Sequence, residues 1–337
     1  MEVIIKGKRV QTEKNSCLDN INEYICQTLS VGVPDIRRII RSLDELGKYM
    51  LSDEQFLISE LTELGFSKEE AVQIKKDSLG VLAADELFKK IKRELGGLPF
   101  EISRLSSREQ EFEGWMPVEV LGHVTSSNDA MLPFFSSVEG ILTGNINIIK
   151  TATGAHKVAM TMIEKLCEID ESLCPYFYVF PLSSKDEELL KNMFSLCNAV
   201  AVWGSDAATS GVRKLAPSGV KIIEWGNRIS FAYFTKGGCT DEALKGLAED
   251  VCVNDQQACS APQKMCCNVI SYLNVIKEFC NEKNGKYIEV EINNIQKKVI
   301  IRDKLKYSDA TEHLNKIAEK GNTTAEPVLG WNRVCFE

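Results

Sequence analysis

Long apolar runs are missing from this chain of 337 residues. The first sixteen residues, "MEVIIKGKRVQTEKNS", contain only one short apolar run at positions 3–5, which is too short for the core of a signal peptide. No stretch approaches the ~20 apolar residues that a membrane-spanning helix needs. The sequence therefore predicts a protein without a membrane span, and a cytoplasmic location is the expectation.

Histidine is scarce, and the cysteines lack the spacing of a metal site, since the one adjacent pair is Cys266–Cys267. The three histidines, His123, His156 and His313, lie far apart, and the twelve cysteines include no CxxC pair. Structural zinc sites need such clusters, so no metal is expected. Because the chain is long and shows no export signal, most cysteines are expected to be reduced residues of the core.

Basic residues are fewer than acidic ones, 40 against 48, so the formal net charge is −8. A chain of this charge has no general attraction for nucleic acid or an anionic membrane, so neither is an expected partner. Any anionic ligand must be held by a local arrangement of donors.

The first hundred residues predict a short strand followed mainly by amphipathic helices. Two segments have the spacing of a capping box, in which an N-cap serine and a Glu or Gln three positions later bond to each other's backbone: Ser52 with Gln55, and Ser67 with Glu70. Gly96 then follows a helical pattern and is placed to end it.

From about residue 115 short β-branched strands alternate with helices. "PVEVLGHV", "NINIIKT", "FYVFPL" and "AVAVWGSD" are strand patterns, and helical patterns lie between them. This rhythm predicts an α/β fold with a parallel sheet covered on both faces. We divide the chain into a helical region (1–95), a sheet domain (96–220) and a third region (221–337) that closes with two alternating strands and an irregular tail.

No GxGxxG fingerprint of a conventional dinucleotide site is present. Two other strand ends are nevertheless candidates for holding an anion. Gly204 and Ser205 lie between a strand and a helix, where backbone N–H groups and the helix dipole favour an anion, or where Ser205 simply caps the helix. Lys150 ends another strand and is either a ligand contact or a solvated lysine.

Three further residues are candidates for catalysis. Asn128 follows a strand and is either an oxyanion donor or a turn residue. Glu224 also follows an apolar strand and is either a general base or a surface carboxylate. Cys259 lies among small and amide-bearing residues in "VNDQQACSAPQK", a setting with room for a group to approach the sulfur.

The order of these features resembles the aldehyde dehydrogenase superfamily and, within it, the acyl-CoA reductase family that includes the fatty acyl reductase subunit of bacterial luminescence. The resemblance is carried by "HVTSSNDAMLPFFSSVEGILTGNINIIK", "AVWGSD", "EWGNRISFAYF" and especially "QQACSAPQ", and it runs from about residue 95 to 270. It implies an aldehyde dehydrogenase-like fold with a Rossmann-type cofactor domain at 96–220 and a catalytic domain at 221–337.

The resemblance also implies a role for each candidate. Cys259 is the expected nucleophile, Asn128 and the backbone N–H of Cys259 form the oxyanion hole, and Glu224 is the base. Lys150 is expected at the adenosine ribose of the cofactor, with Gly204 and Ser205 at its phosphates. One departure concerns the base, because "EWGNR" has a single glycine where many superfamily members have two.

The implied function is reduction of a fatty acyl thioester to the aldehyde, with NADPH as the usual cofactor of the family and NADH as an alternative. An oxidising aldehyde dehydrogenase and a non-catalytic binding or scaffold subunit remain open. Expected partners are an acyl-CoA or acyl-protein substrate, an acyl-protein synthetase and further copies of the chain. Family members continue well beyond the nucleophile, so the expectation for the catalytic domain is one shortened at its C-terminus.

Overall fold

The structure, a computed structural model, describes residues 1–104, 112–126, 129–152, 156–226, 231–233, 240–252, 264–266, 287–291, 298–302 and 331–335. The chain divides into two compact units, residues 1–226 and residues 227–337. The helical region (1–95) and the whole of the sheet domain (96–220) expected from the sequence therefore lie within one compact unit, while the three-way division by function stays a prediction.

A seven-stranded sheet forms the centre of the first unit, in the order β2-β1-β7-β6-β5-β8-β9. Strands β7, β6, β5, β8 and β9 are parallel, and the hairpin β1–β2 extends this sheet through an antiparallel pairing of β1 with β7. A separate pair, β3–β4, is antiparallel. The strands are β1 (Glu2–Ile5), β2 (Lys8–Gln11), β3 (Ser103–Arg104), β4 (Phe112–Glu113), β5 (Val120–Val124), β6 (Ile146–Lys150), β7 (Phe177–Phe180), β8 (Ala199–Trp203) and β9 (Lys221–Trp225).

Burial along these strands follows their position in the sheet. Every residue of β5, β6 and β7 is buried, as expected for central strands that are covered on both faces. The edge strands β2 and β9 are largely exposed. The predicted parallel α/β sheet is therefore confirmed, whereas its extension by the N-terminal hairpin was not foreseen.

Helices cover the sheet on both faces and account for most of the remaining described residues of the first unit. Short 3-10 helices occur at Lys14–Ser16 and Glu171–Tyr176. The α-helices are α1 (Ile21–Val31), α2 (Ile36–Ser52), α3 (Ile58–Glu63), α4 (Lys68–Leu82), α5 (Ala84–Leu95), α6 (Leu132–Leu142), α7 (His156–Ile169), α8 (Glu187–Ser195) and α9 (Asp206–Leu215).

The amphipathic N-terminal helices pack onto helices of the sheet rather than forming a layer of their own. Helix α2 contacts α4 and α5 on one side and α6 and α7 on the other, and its buried residues join one continuous apolar core. Burial of this apolar stripe is what stabilises the N-terminal helices, because propensity alone contributes little to isolated helices.

The cap predictions have opposite outcomes. The box of Ser67 and Glu70 is confirmed, with both reciprocal hydrogen bonds present at the start of α4. Gly96 ends α5 in the left-handed conformation at φ 78°, also as predicted. The box at Ser52 is wrong, because α2 ends at this residue and Asp53, one position later, accepts from the backbone N–H groups of Gln55 and Phe56.

The described part of the second unit contains one helix and a five-stranded sheet in the order β10-β11-β14-β13-β12. The predicted pair of alternating strands is confirmed as the antiparallel pair β12–β13. The prediction of an irregular tail is wrong for residues 331–335, which form β14 and pair with β11 and β13. The elements are β10 (Phe231–Tyr233), α10 (Asp241–Cys252), β11 (Lys264–Cys266), β12 (Tyr287–Glu291), β13 (Lys298–Arg302) and β14 (Trp331–Cys335). Across the described parts of both units, no helix combines the length and apolar character that a membrane crossing needs.

Candidate active site at the carboxyl edge of the parallel sheet

The strand order of the first unit determines where a ligand is expected. The chain starts the parallel sheet at β5, builds outward through β6 and β7, and then returns to the other side of β5 with β8 and β9. Ligands of open α/β sheets bind outside the carboxyl ends of the strands at such a switch point. The residues at this edge are Thr125, Lys150, Thr151, Trp203, Gly204, Ser205, Glu224, Trp225 and Gly226.

Lys150 is a buried cation at this edge, with 8% of its surface exposed. Burial lowers the pKa of its ammonium, and the carboxylate of Asp186 opposes that shift. Asp186 is already bound by Lys14 at 2.7 Å, and within the described ranges the ammonium of Lys150 has no hydrogen-bond partner. The adjacent Thr151 hydroxyl is buried and unpartnered as well. A buried hydroxyl without a hydrogen-bond partner is unfavourable in isolation, so Thr151 suits a polar ligand.

Gly204 and Ser205 form the turn from β8 into α9. The Ser205 side chain accepts from the backbone N–H of Ala208 at 3.4 Å, so the capping role is present. A Cβ added to Gly204 would lie 3.0 Å from the Ala208 Cβ, which explains the glycine by close approach. Capping uses the serine oxygen and leaves other N–H groups of the first helical turn for an anion. The buried hydroxyl of Thr209, one turn into α9, has no partner within the described ranges.

Glu224 is the fourth residue of β9 and is paired with a cation on α9. Arg213 donates to Glu224 Oε1 from Nε at 2.6 Å and from Nη2 at 2.5 Å. The carboxylate is 37% exposed, and the guanidinium is 59% exposed. The structure thus places Glu224 at the predicted edge but engages one of its oxygens with a residue that the sequence did not single out.

Trp203 and Trp225 form a stacked pair at the same edge. They are the last residues of the neighbouring strands β8 and β9 and lie side by side in the register. Their ring centroids are 4.8 Å apart, and the ring planes differ by only 7°. This pair could not be predicted from the sequence, because nothing local to either residue shows that the two strands are neighbours.

Four side chains, Trp203, Ser136, His123 and Asn147, form a series of hydrogen bonds that runs from the edge into the sheet. We call this series the buried polar chain. Trp203 Nε1 donates to Ser136 Oγ at 2.8 Å, and Ser136 Oγ lies 2.7 Å from His123 Nδ1. His123 Nε2 lies 3.0 Å from Asn147 Oδ1. His123 and Asn147 are fully buried, and Ser136 is 3% exposed. The only local sign of this network in the sequence is a histidine and an asparagine within largely apolar strands.

The donor and the acceptor of each hydrogen bond in the buried polar chain can be assigned from its two end residues, Trp203 and Asn147. Asn147 Nδ2 donates to the carbonyl oxygens of Asn145 and Tyr176, at 2.9 and 3.3 Å, so Asn147 Oδ1 is the acceptor for His123. His123 therefore carries its proton on Nε2, and its Nδ1 accepts from the Ser136 hydroxyl. Burial lowers the pKa of His123 to about 4, which keeps the imidazole neutral near pH 7.

Asn128 and Cys259, the two remaining predicted catalytic residues, lie outside the described residues. Their roles stay predictions. The described cysteines include four buried ones and one exposed one, Cys26. In the part of the chain that the structure covers, no group of three or more His, Cys, Asp or Glu side chains is arranged to hold a metal ion.

Comparison with protein families settles the relationship of this chain. The family model described as Acyl-CoA reductase (LuxC) matches residues 31–308, which is most of the sequence. The chain belongs to this family. The predicted resemblance is therefore confirmed.

Curated relatives of this acyl-CoA reductase family member are similar over part of their length. The "Long-chain acyl-protein thioester reductase" of Vibrio harveyi is 24% identical over 289 residues, which are 79% of this chain and 60% of the relative. The protein of the same name from Aliivibrio fischeri is 24% identical over 68% of this chain and 50% of its own length. The chain thus spans between half and three-fifths of these two relatives.

Solved structures similar to this family member are aldehyde dehydrogenases. Aldehyde dehydrogenase 21 from Physcomitrella patens, in complex with succinate, has a TM-score of 0.66 at 14% identity and covers 84% of this chain and 63% of its own. A putative aldehyde dehydrogenase from Burkholderia cenocepacia also has a TM-score of 0.66 at 14% identity, with 84% and 58% covered. The aldehyde dehydrogenase-like fold expected from the sequence is confirmed.

Proposed function

We propose that this protein reduces a long-chain acyl thioester to the aldehyde through an acyl-cysteine at Cys259. The observation that carries the proposal is the match to the acyl-CoA reductase family over residues 31–308, a range that contains every predicted site residue. The names of the curated relatives, long-chain acyl-protein thioester reductase, support a fatty acyl substrate.

The carboxyl edge of the sheet fits a nicotinamide dinucleotide. The ammonium of Lys150, a largely buried residue, and the unpartnered hydroxyl of Thr151 suit a ribose with several hydroxyls. The Gly204–Ser205 turn at the start of α9 suits the phosphates. We assign NADPH as the cofactor, with NADH as the alternative, and a similar fold in Bacillus halodurans is an NADP-dependent dehydrogenase complexed with NADP (TM-score 0.62, 11% identity, 84% of this chain and 61% of its own covered). When bound, the cofactor supplies a hydride.

Cys259 carries the covalent chemistry. Its thiolate adds to the thioester carbonyl carbon, the carbonyl electrons move to oxygen, and collapse expels the CoA or carrier thiolate to leave an acyl-cysteine. Once a hydride has reached that carbon, cleavage of the C–S bond releases the aldehyde and returns the thiolate. The Asn128 amide and the Cys259 backbone N–H donate to the oxygen that becomes negative in both halves, and such a donor contributes ~2.7–4 kcal/mol in other enzymes.

Glu224 has a narrower role in reduction than in oxidation. Thioester reduction needs no attacking water, so we assign Glu224 the removal of the Cys259 thiol proton before the acyl transfer. Its second carboxylate oxygen is available for this step while Arg213 holds Oε1. A carboxylate that is hydrogen-bonded to a neighbouring cation has a better defined position than a free carboxylate.

Mass spectrometry of the intact protein after incubation with a long-chain acyl-CoA tests the proposal. We expect the mass of one acyl group to be added and then removed when NADPH is supplied. Cys259→Ser should abolish this addition, whereas Cys26→Ser, at an exposed cysteine of the first unit, should leave it unchanged. Acylation that persists in Cys259→Ser would overturn the assignment.

The aldehyde dehydrogenase fold favours oxidation of an aldehyde with NAD(P) as a second candidate function. Oxidation requires that water hydrolyse the acyl-cysteine, whereas reduction requires that water be excluded. Comparing rates with acyl-CoA plus NADPH and with aldehyde plus NAD separates the two. A non-catalytic subunit, the third alternative, would leave Cys259 unlabelled by acyl-CoA. Assembly with an acyl-protein synthetase and self-association are further proposals. A cytoplasmic location stays a prediction from the sequence.

A further inference from the structure

The Trp203–Trp225 pair has a location that the proposed chemistry does not use. The pair ends strands β8 and β9, one residue before Gly204 and one residue after Glu224. Trp225 is 40% exposed, while Trp203 is half-buried behind it. A large aromatic ring exposed at a ligand edge is costly to leave in water and is the kind of surface on which planar ligands stack.

Trp203 is fixed by the buried polar chain. Its N–H bonds to Ser136, which in turn bonds to His123, and His123 is held by Asn147. The absence of a side chain at Gly140 makes this possible, because a Cβ there would overlap with Asn147 Oδ1. Rotation of the Trp203 ring would break its bond to Ser136 and disturb the bond from Ser136 to His123, and both of these side chains are buried.

The positions of the proposed ribose and phosphate contacts along the sheet indicate which ring of the dinucleotide lies next to Trp225. The proposed ribose contact, Lys150, ends β6, and the proposed phosphate contact, Gly204–Ser205, follows β8. In the sheet order β6-β5-β8-β9, the strand beyond β8 is β9, which ends in Trp225. A dinucleotide laid along this edge from its adenosine end therefore places its other ring at β9.

We propose that Trp225 is the stacking surface for the nicotinamide ring, and that Trp203, Ser136 and His123 are positioning residues that hold this surface in place. The identity of the ring rests on the proposed function. The stacking of the two indoles, the exposure of Trp225 and the hydrogen bond that holds Trp203 do not depend on the proposed function. Stacking of a nucleic-acid base on an aromatic side chain changes affinity by roughly 5- to 150-fold, so removing the indole is expected to weaken NADPH binding by about tenfold.

Tryptophan fluorescence tests the stacking surface, because indole emission overlaps the absorption of the reduced nicotinamide ring. Titrating the wild-type protein with NADPH should quench tryptophan emission and give a Kd. Trp225→Leu should raise that Kd by about tenfold and remove most of the quenching. Trp115→Phe is the matched control, because Trp115 is exposed and its N–H bonds only to the Leu95 carbonyl, remote from this edge.

Two further variants test the positioning residues. Ser136→Ala removes the oxygen that holds the indole, and Trp203→Phe keeps a ring but removes the N–H. Both are expected to weaken NADPH binding three- to fivefold and to reduce the near-ultraviolet circular dichroism of the stacked pair. His123→Gln, which keeps a neutral donor and acceptor, should retain more of that signal than Ser136→Ala. Unchanged dichroism and Kd in both Ser136→Ala and Trp203→Phe would overturn the positioning role.

Acylation of Cys259 separates failure of this inference from failure of the proposed function, because acyl transfer does not need the nicotinamide ring. Trp225→Leu protein that is acylated by acyl-CoA and binds NADPH as tightly as wild type overturns the inference and leaves the function standing. Wild-type protein that is neither acylated nor able to bind NADPH or NADH overturns both. Acylation with a selectively raised Kd in Trp225→Leu supports both.

Discussion

His123 shows how a single buried residue organises the sheet beneath the candidate site. The imidazole lies within β5, bonds to Ser136 on α6 and to Asn147 on β6, and is fully removed from water. Protonation would make Nδ1 a donor, so Ser136 Oγ would have to accept from both His123 and Trp203 and turn its own proton to another acceptor, while burial disfavours the charged imidazole. Its neutral form is therefore part of the fold, and the same chain of bonds fixes Trp203 at the edge of the sheet.

This arrangement predicts a pH dependence of stability. The pKa of His123 is about 4 in the folded protein and near 6.5 in the unfolded chain, so between these values the unfolded chain binds more protons. Stability is then full above pH 6.5 and falls as the pH drops towards 4. The loss from this residue amounts to roughly 3 kcal/mol.

Urea unfolding at pH 7, 5.5 and 4 checks this expectation. The wild-type protein should lose free energy of unfolding more steeply than His123→Gln, whose side chain does not titrate. Parallel pH profiles for the two proteins would contradict the assignment of a neutral, buried His123.

At the scale of elements, glycines at two helical positions differ in what surrounds them. Gly140 in α6 is buried against Asn147 Oδ1 and His123, whereas Gly80 in α4 is exposed and a Cβ added there meets nothing within 4 Å. The first glycine therefore permits close contact between α6 and the sheet. The second only weakens its helix, since glycine is less favourable than alanine in a helix interior.

Alanine at these two positions should have effects of opposite sign. Gly140→Ala forces the Asn147 amide out of the buried chain and is expected to destabilise the protein by about 1–3 kcal/mol. Gly80→Ala should stabilise it by about 0.5–1 kcal/mol. Midpoints of urea unfolding measure both changes, and a Gly140→Ala protein as stable as wild type would show that the buried chain tolerates displacement.

At the scale of the whole molecule, the first unit contains the large core and every described residue of the candidate cofactor site. Its core runs continuously from the N-terminal strand through the helices to α9, and residues 1–226 form one compact body. The predicted nucleophile Cys259 belongs to the second unit. The proposed cofactor contacts therefore lie in the first unit, and the predicted nucleophile lies in the second.

A fragment of residues 1–226 should accordingly fold and bind NADPH without being acylated. Calorimetry is expected to show one cooperative transition with a heat-capacity change of about 3 kcal/mol/K, the value for a domain of this length. The tryptophan quenching by NADPH should persist, because both rings of the stacked pair lie in the fragment. Failure to unfold cooperatively would show that the first unit depends on the second.

Local features of the fold could be predicted because their causes are local. The β-branched runs at β5 and β6, the capping box of Ser67 and the Gly96 helix end depend on neighbouring residues only. Ser52 misled the same reasoning, since its spacing fits a capping box while the tertiary structure continues α2 up to that residue. Lys150 was recognised from its place at a strand end, but whether it is solvated or buried depends on elements distant in sequence.

The amino-acid sequence by itself determined the alternation of strands and helices, the helix ends and the family-like order of Asn128, Lys150, Glu224 and Cys259. Only the tertiary structure decided which strands are neighbours. That choice places Trp203 against Trp225 and Arg213 against Glu224, and it joins His123 to Asn147. The reason is physical: strand order and burial arise from the collective removal of apolar surface from water, which no single segment specifies.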